Sequence, residues 1–136
     1  MQISGRFDVT MSPQPATDGV GHALIARMGL DKRYYGELDA VSTGEMLASV
    51  SASEKGSAGY VAMERVDGTL SGKRGSFVLQ HSSTMTRGVP QQSITVVPDT
   101  GTGELLGLSG RMSIRVEDKK HYYDFAFTLP ASHQAI

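Results

Sequence analysis

The chain has 136 residues, a formal net charge of -1, 39% hydrophobic and 20% charged residues, and no cysteine. That is enough for one domain, residues 1–136, with its own core, and it excludes disulfide frameworks, thiolate metal sites and a cysteine nucleophile. Lys and Arg are scattered and not in excess, so the basic footprint of a nucleic-acid or acidic-membrane partner is missing.

The opening MQISGRFDVTM lacks the apolar segment of a signal peptide, and no run reaches membrane-span length; a cytoplasmic location is the expectation. Ile3, Gly5, Phe7, Val9 and Met11 alternate with polar neighbours, which predicts a half-buried first strand. Ser12 to Gly21, with Pro13 and Pro15, reads as a loop. Between Ala23 and Val41 the pattern fits one long bent strand or two short ones, with Leu24, Ala26, Met28 and Leu30 on one face and Gly29 and Gly36 interrupting. The charged clusters Asp31-Lys32-Arg33 and Glu117 to Lys120 read most simply as solvated turns. Ser42-Thr43-Gly44 reads as a turn into a strand over Glu45 to Ser53, whose apolar row is Met46, Ala48, Val50 and Ala52.

After a turn at Ser53 to Ser57, two apolar runs fold back on each other. Tyr60, Ala62, Glu64 and Val66 share one face of the first; Phe77, Leu79, His81 and Ser83 share one face of the second. A turn centred on Lys73-Arg74, with Asp67-Gly68 as an upstream turn or bulge, sets Val66 opposite His81 and Glu64 diagonal to it. A tighter turn at Ser71-Gly72 changes the neighbours and keeps the faces.

Gly88-Val89-Pro90 then breaks the chain before a strand over Gln91 to Val97, with Ile94 and Val96 on one side. Pro98 to Gly107 is glycine-rich but has Leu106 where a phosphate loop needs a third glycine, so it reads as a connection with a short helical turn near Thr102. A final hairpin with Asp118-Lys119 at its tip sets Val116 against His121, Ile114 against Tyr123, Met112 against Phe125, Gly110 against Phe127 and Leu108 against Leu129. The tail from Ala131 to Ile136 reads as frayed. Some eight short strands without a helical period predict an all-β sandwich or barrel.

The four histidines are His22, His81, His121 and His133, and none has a partner at metal-ligand spacing, so neither a metal nor another cofactor is expected. His121, at the start of the last strand, reads as a rim residue. His81 extends an apolar row, and a buried imidazole needs a partner, for which Glu64 is nearest by register. A satisfied core histidine is one reading. The other is a polar patch of Glu64, His81 and the Tyr60 hydroxyl inside an apolar cavity, able to orient a ligand or move a proton.

The strings GEMLAS, GYVAMERVDGTLSGKRGSFVLQHSSTM and VVPDTGTGELLGLSGRM, followed by YYDFAFTL, resemble a bacterial family designated domain of unknown function 3224. The resemblance implies an eight-stranded antiparallel β-barrel similar to that of plant allene oxide cyclase, which encloses an apolar fatty-acid-derived substrate and forms trimers. It implies no activity, and no cyclase motif carries over. Two functions therefore stand as expectations: a barrel that binds a small apolar ligand through Glu64, His81 and Tyr60, open to isomerase or cyclase chemistry, or a solidly packed, non-catalytic barrel that acts through its outer face. Homo-oligomers are compatible with both.

Overall fold

The computed structural model describes residues 1–15, 19 and 24–131. Eight antiparallel strands follow one another around a closed barrel: β1 (Gln2–Gln14), β2 (Ala26–Tyr34), β3 (Leu38–Val50), β4 (Ala58–Leu70), β5 (Lys73–Thr86), β6 (Val89–Val96), β7 (Ser109–Glu117) and β8 (Lys120–Thr128). Each strand pairs with its neighbours in sequence, and β1 closes the ring against β8. Alternation puts one residue in two inside, so closure buries a largely apolar row from most strands, interrupted on β2 to β5 by Lys32, Ser42, Glu64 and His81, and leaves few free strand edges.

The two ends of the barrel differ. At one, Leu38, Leu70, Phe77, Phe125 and Phe127 fill the interior, with the Phe77 and Phe125 rings stacked at 5.9 Å. The connection between β6 and β7 plugs this end: its 3₁₀ turn (Gly103–Leu105) inserts Leu105, and Leu108 follows, both fully buried. Thr102 holds the plug to β5, donating its backbone N–H to the Ser76 carbonyl at 2.8 Å and accepting the Ser76 N–H on its hydroxyl at 3.0 Å. Gly75 makes the seat, since a β-carbon there would lie 2.1 Å from the Thr102 carbonyl oxygen.

At the other end the inward residues Val9, Met28, Met46, Tyr60 and Ile114 are only half-buried. The wall is also lower on one side. The last rung between β1 and β8 is Phe7 to His121, and β6 and β7 share only the rungs Ile94 to Met112 and Thr95 to Arg111. Above them the Gln92 side-chain oxygen accepts the Ile114 N–H at 2.8 Å. The outcome is a cup with a packed base and an open mouth.

The final hairpin has the expected register, with Asp118 and Lys119 at its tip, although Leu108 and Leu129 fall beyond its last rung. Several other expectations are corrected. The central hairpin turns at Ser71-Gly72, both at positive φ (49° and 80°), because a two-residue turn of this hand needs two such residues and glycine adopts one freely. Val66 therefore opposes Phe77, and Ala62 opposes His81. Neither Ser42-Thr43-Gly44 nor Asp67-Gly68 is a turn: β3 and β4 run straight through them, and the chain turns instead between Tyr34 and Leu38, where Gly36 has φ 107°. At Gly44 a β-carbon would lie 2.1 Å from the Met63 oxygen and at Gly68 2.3 Å from the Asp39 oxygen, so these glycines serve close strand approach. Ser12 to Gln14 belong to β1, Ser51 to Ser53 lie beyond β3, and Val89 and Pro90 belong to β6. The rest of the expected loop to Gly21, apart from Pro15 and Gly19, lies outside the described residues, as do His22, Ala23, His133 and the tail after Ala131.

Candidate functional site

Four neighbouring strands meet where the packed base gives way to the cup. Inward alternation on β2 points Leu30, Lys32 and Tyr34 to the interior; β3 contributes Ser42, β4 Ala62 and Glu64, and β5 His81. Register sets Lys32 beside Ser42, Gly44 beside Glu64, and Ala62 beside His81, so Glu64 and His81 are diagonal neighbours on one face.

Glu64, 1% exposed, is the hub. Its Oε2 accepts from Lys32 Nζ at 2.6 Å and from His81 Nε2 at 2.7 Å, while Oε1 accepts from Ser42 Oγ at 2.9 Å and from the Tyr34 hydroxyl. Four donors match the roughly four acceptor positions of an ionised carboxylate. Burial pushes the Glu64 carboxyl upward, but the His81 hydrogen bond and the Lys32 charge outweigh it and bring it down to about 2. Burial, then the Glu64 charge, push the Tyr34 phenol well above its ordinary value, so it stays a neutral donor. The Lys32 ammonium also lies over the Phe7 ring, 5.2 Å from its centroid.

A carboxylate offers no proton, so the hydrogen between it and His81 belongs to Nε2. His81 Nδ1 makes no hydrogen bond among the described residues, and it is not one of the sealed, unpartnered atoms, which are Ser71 Oγ and Ser83 Oγ. His81 itself lines an open space.

That space is a cavity of about 270 Å³ whose walls include Phe7, Leu30, Met46, Ala62 and Ile114 and whose polar edge carries Lys32, His81, His121 and Tyr60. A second lobe of about 240 Å³ adjoins it across Met46 and Tyr60, toward Ser83 and Met85. His121 packs on Phe7 at 5.3 Å between ring centroids, on the rim. A larger groove, about 660 Å³, lies outside the plugged end between Leu70, Glu104 and Pro130, away from every buried ionisable group described above.

The structure thus brings Glu64 and His81 together and places Tyr60 differently from expectation. The Tyr60 ring stands 6.2 Å from the His81 ring, but its hydroxyl bonds neither member of the pair; Tyr34 supplies the phenol instead. Sequence reasoning missed Lys32, Tyr34 and Ser42. Lys32 is 8% exposed, in the middle of a strand rather than in a solvated turn. The signal was present in the alternation Leu30, Lys32, Tyr34, which is one inward row flanked by the outward Asp31 and Arg33.

The model of the family described as "Protein of unknown function (DUF3224)" matches residues 3–127. The chain belongs to the DUF3224 family. Its barrel is similar to the crystal structure of a DUF3224 protein of unknown function from Shewanella oneidensis MR-1, with 48% identity, a TM-score of 0.88, and coverage of 97% of this chain and 98% of that one. Comparison with curated proteins finds no match. The DUF3224 description assigns no chemistry, which leaves the geometry of the cup and its floor as the basis for a functional reading.

Proposed function

We propose that this DUF3224 barrel binds a small, largely apolar molecule in the cup at its open end, with His81 and Lys32 as the polar contacts and Tyr60 on the wall. One observation carries the reading: an apolar cavity of about 270 Å³ stands directly over a buried charged cluster. Buried ion pairs are often no better for stability than apolar residues of the same volume, so an inert barrel gains little from this one. An apolar pocket with a few convergent polar groups is the usual form of a ligand site. At about 30 Å³ for each water in the liquid, the cavity has the volume of about nine waters, room for a compact ring, with the adjoining lobe of about 240 Å³ beside it. Isomerase or cyclase chemistry is compatible with the site.

Native mass spectrometry of freshly purified protein tests the reading. A co-purified small molecule is expected, lost in Met46→Trp, which fills the mouth without touching the charged floor. With indan-2-ol as a probe, whose hydroxyl can donate to the His81 ring, His81→Phe is expected to weaken binding at least about tenfold, the equivalent of one lost hydrogen bond. A bare mass together with no response to indan-2-ol would overturn the reading, and unchanged affinity in His81→Phe would remove that residue from the site.

A second reading has its own support. Leu47, Val61 and Met63 on the outer wall of β3 and β4 are 47%, 51% and 50% exposed, an apolar strip suited to a protein contact. The same mass spectra report the subunit count; a homo-oligomer dissociated by Val61→Lys supports contact through this wall, and a monomer opposes self-association.

A further inference from the structure

Two cup-lining residues that share Glu64 Oε2, His81 and Lys32, differ in kind, and the difference narrows the ligand class. With Nε2 paired to Glu64 Oε2, His81 keeps Nδ1 without a hydrogen bond among the described residues. Lys32 presents an ammonium bound to the same Oε2 atom, with hydrogens left over after that one contact. Base and cation thus stand side by side on one carboxylate oxygen. Neither Tyr34 nor Ser42 competes as a proton carrier toward the cup, because each hydroxyl hydrogen is committed to Glu64 Oε1.

We propose that His81 and Lys32 form a proton-transfer pair acting on a compact, neutral, enolisable carbonyl compound, an inference that rests on the cup being a ligand site. His81 Nδ1 removes a hydrogen from the carbon next to the carbonyl. The C–H bond breaks, its electron pair forms the carbon–carbon double bond, and the carbonyl π pair moves onto oxygen beside the Lys32 ammonium. Return of the proton from Nδ1 to the same carbon, or to a conjugated one, restores the carbonyl and the free imidazole. No oxidant, reductant or co-reactant enters.

Charge accounting favours this class over a ligand that arrives as an anion. Lys32 and Glu64 already neutralise each other at 2.6 Å, so a bound carboxylate would leave one negative charge uncompensated in an apolar cavity. A neutral ketone keeps the site neutral throughout, since the enolate and the imidazolium appear together. Glu64 acts through its two partners as a positioning residue; every acceptor position on it is taken.

Indan-2-one is the test substrate and indane its non-enolisable control of similar size. Deuterium incorporation next to the carbonyl is followed by NMR in D₂O with wild type, His81→Gln, Lys32→Met and Met46→Trp, each verified as folded by circular dichroism. Wild type is expected to exchange the probe faster than buffer. His81→Gln, which keeps an amide hydrogen for Glu64 but removes the base, is expected to lose at least about 100-fold. Met46→Trp, with the floor intact, is expected to lose exchange by exclusion. Binding of both probes without catalysed exchange would overturn the proton-transfer inference and leave the ligand cup standing. Failure of both probes to bind would overturn both, and exchange undiminished in folded His81→Gln would overturn the role of His81.

Discussion

Replacing Glu64 by Gln keeps the shape of the side chain and removes the charge on which four donors converge. At neutral pH it leaves the Lys32 ammonium buried without its anion, a change that costs about 3–5 kcal/mol when one member of a buried pair is removed. Acid adds a second signature. The Glu64 carboxyl lies at about 2 against an ordinary 4.5, a difference that corresponds to about 3 kcal/mol at about 1.4 kcal/mol per tenfold. Because the folded value is the lower one, this contribution is present above 4.5 and is lost as the pH falls toward about 2. Urea unfolding of both proteins at several values between about pH 5 and pH 2, read by circular dichroism, gives the gap between them at each pH. The gap is expected to narrow by about 3 kcal/mol over that window, since the exposed carboxylates titrate alike in both and cancel. Parallel stability curves would refute the reasoning: they would mean that Glu64 is not held ionised by Lys32 and His81.

Three further substitutions separate the packed base from the cup. Leu79→Ala, at a fully buried core position, is expected to cost about 2–5 kcal/mol by urea unfolding, and a loss under about 1 would show that the base is not tightly packed. Gly68→Ala puts a β-carbon 2.6 Å from the Ala40 Cα, so it is expected to lower the melting temperature through overpacking of about 1–3 kcal/mol, and an unchanged value would contradict the close approach of β3 and β4. Ser83→Ala removes a sealed hydroxyl that has no partner among the described residues and is expected to be neutral or to stabilise by about 1 kcal/mol; a clear loss of stability would mean that the hydroxyl has a partner.

The barrel was legible in the sequence because its signal is periodic and redundant. The β7–β8 register follows from apolar pairs at nearly every inward rung, even though the tip is Asp118-Lys119 and contains no glycine. Glycines were harder, because one residue type serves two purposes here. Gly72 supplies a positive φ for a turn, whereas Gly44, Gly68 and Gly75 remove a β-carbon where another backbone passes close, and nothing local in the sequence distinguishes these uses. The Glu64–His81 pairing survived the wrong turn position because faces depend only on parity, while opposite neighbours depend on the turn. Lys32 was lost to a rule about charge: three consecutive ionic residues suggest solvent, but in a strand the middle one faces the opposite way from its neighbours. Tyr60 was chosen by shared face with Glu64, which reports orientation and not reach.

The state of the His81 ring tests the account most directly. In ¹⁵N-labelled protein near neutral pH, the imidazole spectrum is predicted to show hydrogen on Nε2 and a lone pair on Nδ1, with the Nδ1 resonance shifting when indan-2-ol, a hydroxyl donor of cup size, is added. Hydrogen on Nδ1, or an Nδ1 resonance that ignores the alcohol while the cup residues respond, would contradict it.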